Sequence, residues 1–111
     1  MPGRQDLMKG NIDSLLLCLI SQQPMYGYRI MKELEGRSQG YFKFKEGTLY
    51  PALHRLEKLG LVVGRWQPLP NGRQRRYYHI TDKGHATLAR QTAEWRDFFT
   101  AMTLILKPIT P

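Results

Sequence analysis

Ile12, Leu15, Leu16 and Leu19 recur at i, i+3, i+4 and i+7, the spacing of one helical face. Leu17, Cys18 and Ile20 fill in around them. A helix apolar on most sides belongs in the middle of a core or at a subunit contact, which makes Leu15, Leu16 and Leu19 candidates for self-association. It starts near Asn11, a good N-cap, and Pro24 stops it. A second helix spans about residues 27–37, with Ile30, Met31 and Leu34 inward. A third spans about residues 46–59 and ends at Gly60. At about 100° per residue, Leu49, Ala52, Leu53, Leu56 and Leu59 share one third of its circumference.

The period then changes. "LVVGRW" (61–66) and "RRYYHI" (75–80) are rich in β-branched and aromatic residues and read as two strands. Between them, Pro68, Pro70 and the turn pair Asn71-Gly72 make an antiparallel hairpin. From Thr81, a plausible cap, a long helix runs to about Leu106, before Pro108 and Pro111. The order of elements, mainly α with a small β-hairpin (α+β), is that of a winged helix-turn-helix followed by a long C-terminal helix. The chain divides into an N-terminal arm (1–10), a winged helix-turn-helix (11–81, with the wing about 61–80) and a C-terminal dimerisation helix (82–107).

The third helix has an unusual outer face. Gly47, Pro51, His54 and Lys58 lie opposite its leucines, flanked by Thr48, Tyr50 and Arg55. A merely solvated face carries Glu, Lys and Gln more often than this mixture of small, aromatic and cationic groups. Pro51 lacks a backbone N–H and would cost about 3 kcal/mol in a helix interior. In or just past the first turn it loses little, because those N–H groups have no intrahelical partner. This is the end of a recognition helix that enters the major groove. The plainer alternative is a packing helix with a tolerated proline.

Charge sharpens the picture. Lys and Arg number 17 against 9 acidic residues in 111, a net +8 that favours polyanionic partners. Residues 61–84 hold Arg65, Arg73, Arg75, Arg76 and Lys83 against Asp82 alone, so the excess concentrates at the hairpin. Arginine at a hairpin tip suits phosphate contact, since guanidinium donates in a fork. Tyr77 and Tyr78 are strand neighbours and point to opposite faces, one to the core and the other outward. The longest apolar run, Leu15–Ile20, is too short to span a bilayer, and the first residues show no apolar signal core, so no membrane partner and a cytoplasmic location are expected. Cys18 is the single cysteine, expected as a buried thiol in a reducing compartment. His54, His79 and His85 fall on different elements without metal-ligand spacing, and no catalytic constellation appears. Neither enzymatic activity nor a cofactor is expected.

"YGYRIMKEL", "EGTLYPALHRLEKLGLV" and "GRQRRYYHITDKG", in that order and spacing, resemble the PadR-like transcriptional regulators over about residues 10–95. The resemblance implies a homodimeric bacterial repressor on a palindromic operator in double-stranded DNA. With one helix after the wing, the chain looks like the short subfamily. By position, Gly47, Thr48, Tyr50, Pro51 and His54 would face DNA, and Lys45 and Arg55 beside them are further DNA-binding candidates. Arg73, Arg75 and Arg76 would grip phosphates or the minor groove, with Tyr26 and Tyr28 close to the backbone. A winged helix used as a protein-interaction module, without sequence-specific DNA binding, is the rival.

Leu88, Thr92, Trp95, Phe99, Met102 and Leu106 have the heptad spacing of a seam between paired helices. Phe98 and Ile105 widen the stripe beyond what one small domain covers. Some short members of the family bind flat aromatic compounds at the dimer interface through a tryptophan of the last helix. The resemblance therefore implies a second use for Trp95, Phe99 and Met102, with Asp97 or Glu94 attracting a cation. A packed seam without ligand is the simpler alternative.

Overall fold

The computed structural model describes residues 11–106, so the N-terminal arm and Lys107 of the expected last helix lie outside the described residues. Its elements are α1 (Ile12–Gln22), β1 (Met25–Tyr26), α2 (Gly27–Arg37), α3 (Glu46–Lys58), β2 (Val62–Pro68), β3 (Gln74–Ile80) and α4 (Asp82–Leu106). The three strands form one antiparallel sheet in the order β1-β3-β2. Strand β1 is an addition to the expected hairpin: Met25 pairs with Tyr78 and Tyr26 with Tyr77. The wing strands are longer than expected, and the hairpin closes through the Leu69 N–H to the Arg73 carbonyl at 2.7 Å. Gly72 adopts φ 84° in that turn, which its lack of a Cβ permits.

Leu16, Leu17, Met25, Ile30, Leu49, Leu53 and Leu56 are fully buried where α1, α2, α3 and the sheet meet. Three expectations change here. Leu16 and Leu19, candidates for self-association, are closed over by this chain's own core, and Leu15 packs half-buried against it. Cys18 is exposed, because α1 still turns one narrow side to solvent. Leu59 is 50% exposed, because α3 ends at Lys58 and the chain turns away through Gly60 at φ 77°.

One short motif ties α4 to this body. The Thr81 hydroxyl accepts the Gly84 N–H at 3.0 Å, capping the helix, and donates to the Gly60 carbonyl at 2.6 Å. Lys83 Nζ donates to the Leu59 carbonyl at 2.8 Å, where a cation suits the end of α3. Gly84 is buried so close to the Leu61 carbonyl that a Cβ would collide with it. Ser14 Oγ donates to Gln91 Oε1 at 2.7 Å, and Leu88 packs on the core. Beyond Gln91, α4 projects outward, and the molecule measures 57 × 28 × 23 Å. Among the described residues, no helix is long and apolar enough to cross a membrane.

Candidate nucleic-acid interface

Helix α3 buries Leu49, Ala52, Leu53 and Leu56, which leaves Gly47, Thr48, Pro51, His54 and Lys58 exposed on its other side. Lys45 stands exposed at its N-cap. Pro51 is the sixth helical residue, one turn in, so the first-turn account of it needs correction. It removes the N–H that would bond the Gly47 carbonyl, and leaves that acceptor at the exposed start of the helix.

The residues expected to face DNA divide into three groups. Gly47, Thr48, Pro51, His54, Lys45 and Arg73 are exposed, with Arg73 at the hairpin tip. Tyr28 is exposed, with Lys32 Nζ 5.4 Å from its ring centre. The Arg75 guanidinium lies 3.9 Å over the Tyr26 ring, which meets Tyr77 edge-on at 5.5 Å. These stacked groups sit on the outer face of the sheet. Tyr78 points to the core, and burial pushes its hydroxyl pKa above 10.0, with the nearby Arg76 charge opposing the shift.

The third group makes contacts within the body. Tyr50 is half-buried against Gly27, where an added Cβ would lie 2.5 Å from its hydroxyl oxygen. The glycine of "YGY" thus lets α2 and α3 meet. Arg55 pairs with Asp13 of α1 at 2.5 Å. Arg76 pairs with Glu57 of α3 at 2.5 Å, half-buried, and not with solvent at the tip. Arg55 thus stays exposed while paired, and Arg76 lies half-buried against α3.

Two further side chains join the surface. Arg65 is exposed on β2, and Trp66 is 64% exposed beside Arg76, whose guanidinium is 5.9 Å from its ring. Strand alternation puts Trp66 on the face of Val62, which suggests burial, but the sheet extends past the core at that point. A cleft of 360 Å³ between α3 and the wing is lined by Tyr28, Tyr50, His54, Trp66 and Arg75 among others.

The outer half of α4 forms a second surface. Trp95, Phe98 and Phe99 cluster at ring distances of 5.6 to 6.4 Å, and Met102 and Leu106 follow, exposed. A solvent-open concavity of 530 Å³ includes Thr92, Trp95, Arg96 and Phe99. Met102 does not line it, and its charged residue is Arg96, not Glu94 or Asp97.

A helix with a small-residue outer face, a preceding helix packed across it and a basic hairpin beside it define a winged helix-turn-helix DNA-binding protein. Residues 16–90 match the transcriptional regulator PadR-like family. The chain belongs to this family, whose members are transcriptional regulators and not enzymes. It is 37% identical over 94 residues to an uncharacterised protein of Lysinibacillus sphaericus, covering 85% of this chain and 86% of that one. It is 42% identical over 64 residues to a transcriptional regulator of Mycobacterium tuberculosis, covering 58% of this chain and 56% of that one. Among solved structures, a PadR-like transcriptional regulator from Bacillus cereus aligns with a TM-score of 0.80 at 34% identity, covering 90% and 95% of the two chains. A transcriptional regulator from Clostridium thermocellum also aligns at 0.80, with 30% identity and 88% and 92% coverage. DNA-binding regulation of transcription is the function this membership carries.

Proposed function

We propose that the protein is a homodimeric repressor that binds a palindromic operator. The observation that carries this reading is the outer face of α3. Gly47, Thr48, Pro51 and His54 are exposed together along the first nine residues of the helix. That surface can approach base edges closely, as a recognition helix in the major groove must. Lys45 at the N-cap of α3 and Arg65 and Arg73 on the wing are exposed and form no ion pair among the described residues, which suits phosphate contact. Two copies pair through Trp95, Phe98, Phe99 and Met102, and a palindromic operator requires that pairing to hold the two α3 helices about 34 Å apart, one duplex turn. The concavity at Trp95 and Phe99 supports release by a planar aromatic compound seated between the copies.

Gel-shift titration of the duplex upstream of the chain's own gene, with random duplex as control, tests the reading. The expected result is tight binding of two chains per site, with affinity falling about 0.9 log units per log unit of salt for each phosphate engaged. Equal affinity for both duplexes would favour a protein-interaction module. Addition of planar dyes should quench tryptophan emission and release the duplex.

A further inference from the structure

The wing and α3 reach one duplex together only if the angle between them is held. We propose that Glu57, Gly64 and Arg76 form a latch that sets this angle, with Arg76 as a positioning residue and not a phosphate contact. This deepens the operator-binding reading and rests on it.

One carboxylate oxygen joins all three elements. Glu57 Oε2, in the last turn of α3, accepts from Arg76 Nη2 of β3 at 2.5 Å and from the Gly64 N–H of β2 at 3.2 Å. A carboxylate at a helix C-terminus opposes the helix dipole, so Glu57 weakens α3 taken alone. Its two partners on the wing compensate for that placement.

Gly64 is glycine for a steric reason. A Cβ there would fall on Arg76 Nε and within 2.6 Å of Cζ, so the guanidinium lies against the bare backbone of β2. The rings of Trp66 and Tyr78, 5.9 and 5.6 Å away, border it. The Arg76 Nε is buried with no acceptor among the described residues. A side chain free to seek phosphate would relieve that by turning outward; this one is kept in place by its neighbours. The side chains of Arg76 and Glu57 are only 29% and 28% exposed, which shields the pair from salt more than a surface pair. The wing arginines thus divide their work. Arg73 stands exposed at the tip, Arg75 stacks on Tyr26, and the charge of Arg76 is neutralised within the protein.

The test uses a duplex selected by the wild-type chain from a random pool, and titrates wild type, Glu57→Gln, Arg76→Gln, Gly64→Ala and the Glu57→Gln/Arg76→Gln pair across salt. Latching predicts that each single change weakens the selected duplex about tenfold. Binding of random duplex and the salt slope stay as in wild type, and the pair costs no more than either single change. Arg76→Lys, which preserves the ion pair, stays within about threefold of wild type and serves where a glutamine variant melts early. A salt slope lowered by about 0.9 in Arg76→Gln, together with tighter binding by Glu57→Gln, would show Arg76 to be a phosphate contact and overturn the latch. Wild-type affinity in all variants would overturn it too. Failure of the wild-type chain to select any duplex sinks the operator reading itself, a separate outcome.

Discussion

Leu16, Leu17, Ile30, Leu49, Leu53 and Leu56 have no exposed surface, whereas Phe98, Phe99, Leu104 and Ile105 stand from 53% to 77% exposed. Both sets are large apolar side chains on helices. The first set lies in the body, where helices cross and each covers the others. The second lies on α4 beyond Gln91, where these side chains stand open to solvent among the described residues. An isolated helix of four turns is marginal in water, so this outer half gains its stability from whatever covers the stripe. The body is closed by its own contacts, whereas the apolar stripe on the outer half of α4 is left exposed by this chain. In the proposed dimer a second copy covers it.

The sharpest way to break this contrast is to damage each region separately. Leu53→Ala removes a fully buried side chain of α3 and should cost about 2–5 kcal/mol, a large share of a small domain's stability. Denaturant titration should show that loss at every protein concentration. Phe99→Glu places a charge in the exposed stripe. Sedimentation equilibrium should show self-association weakened at least about a hundredfold, while the unfolding of the monomeric body changes by less than about 0.5 kcal/mol. A loss of body stability as large as that of Leu53→Ala would mean that α4 belongs to the core.

Much of this division was legible in the sequence, and the exceptions have physical causes. Period 3.6 locates the helices, and the change to β-branched and aromatic runs around Asn71-Gly72 locates the wing. Strand β1 is only two residues long, too short to show alternation, and exists because β3 offers it an edge. Helical period alone cannot separate a core helix from an interface helix, so Leu16 and Leu19 carried the same signal as the α4 stripe until crossing helices covered them. Leu59 fits the α3 wheel but lies beyond its last turn. In the candidate interface, the exposed residues of α3 follow from the wheel. The Glu57–Arg76 pair spans 19 positions, and no local spacing announces it. Trp66 lies on the inward face of β2 and is exposed only because the core ends before it.

The junction between the two regions gives the smallest effect and the finest test. Gly84 lies in the first turns of α4, where alanine would favour the helix by about 1 kcal/mol. Its Cβ, however, would press on the Leu61 carbonyl and the Ile80 side chain, and backbone cannot yield as a flexible side chain does. Overpacking of that kind costs about 1–3 kcal/mol. Gly84→Ala should therefore destabilise the body by a net of about 1 kcal/mol, read by thermal unfolding in the Phe99→Glu background. The same substitution should tilt α4 against α3, and so change the spacing between the two recognition helices of a dimer. With Phe99 intact, operator affinity should fall by more than the lost stability explains, because two half-sites must be met at once. Gain of stability from the added alanine, with operator binding unchanged, would show that α4 hinges freely at Gly84 and that body and arm are not mechanically joined.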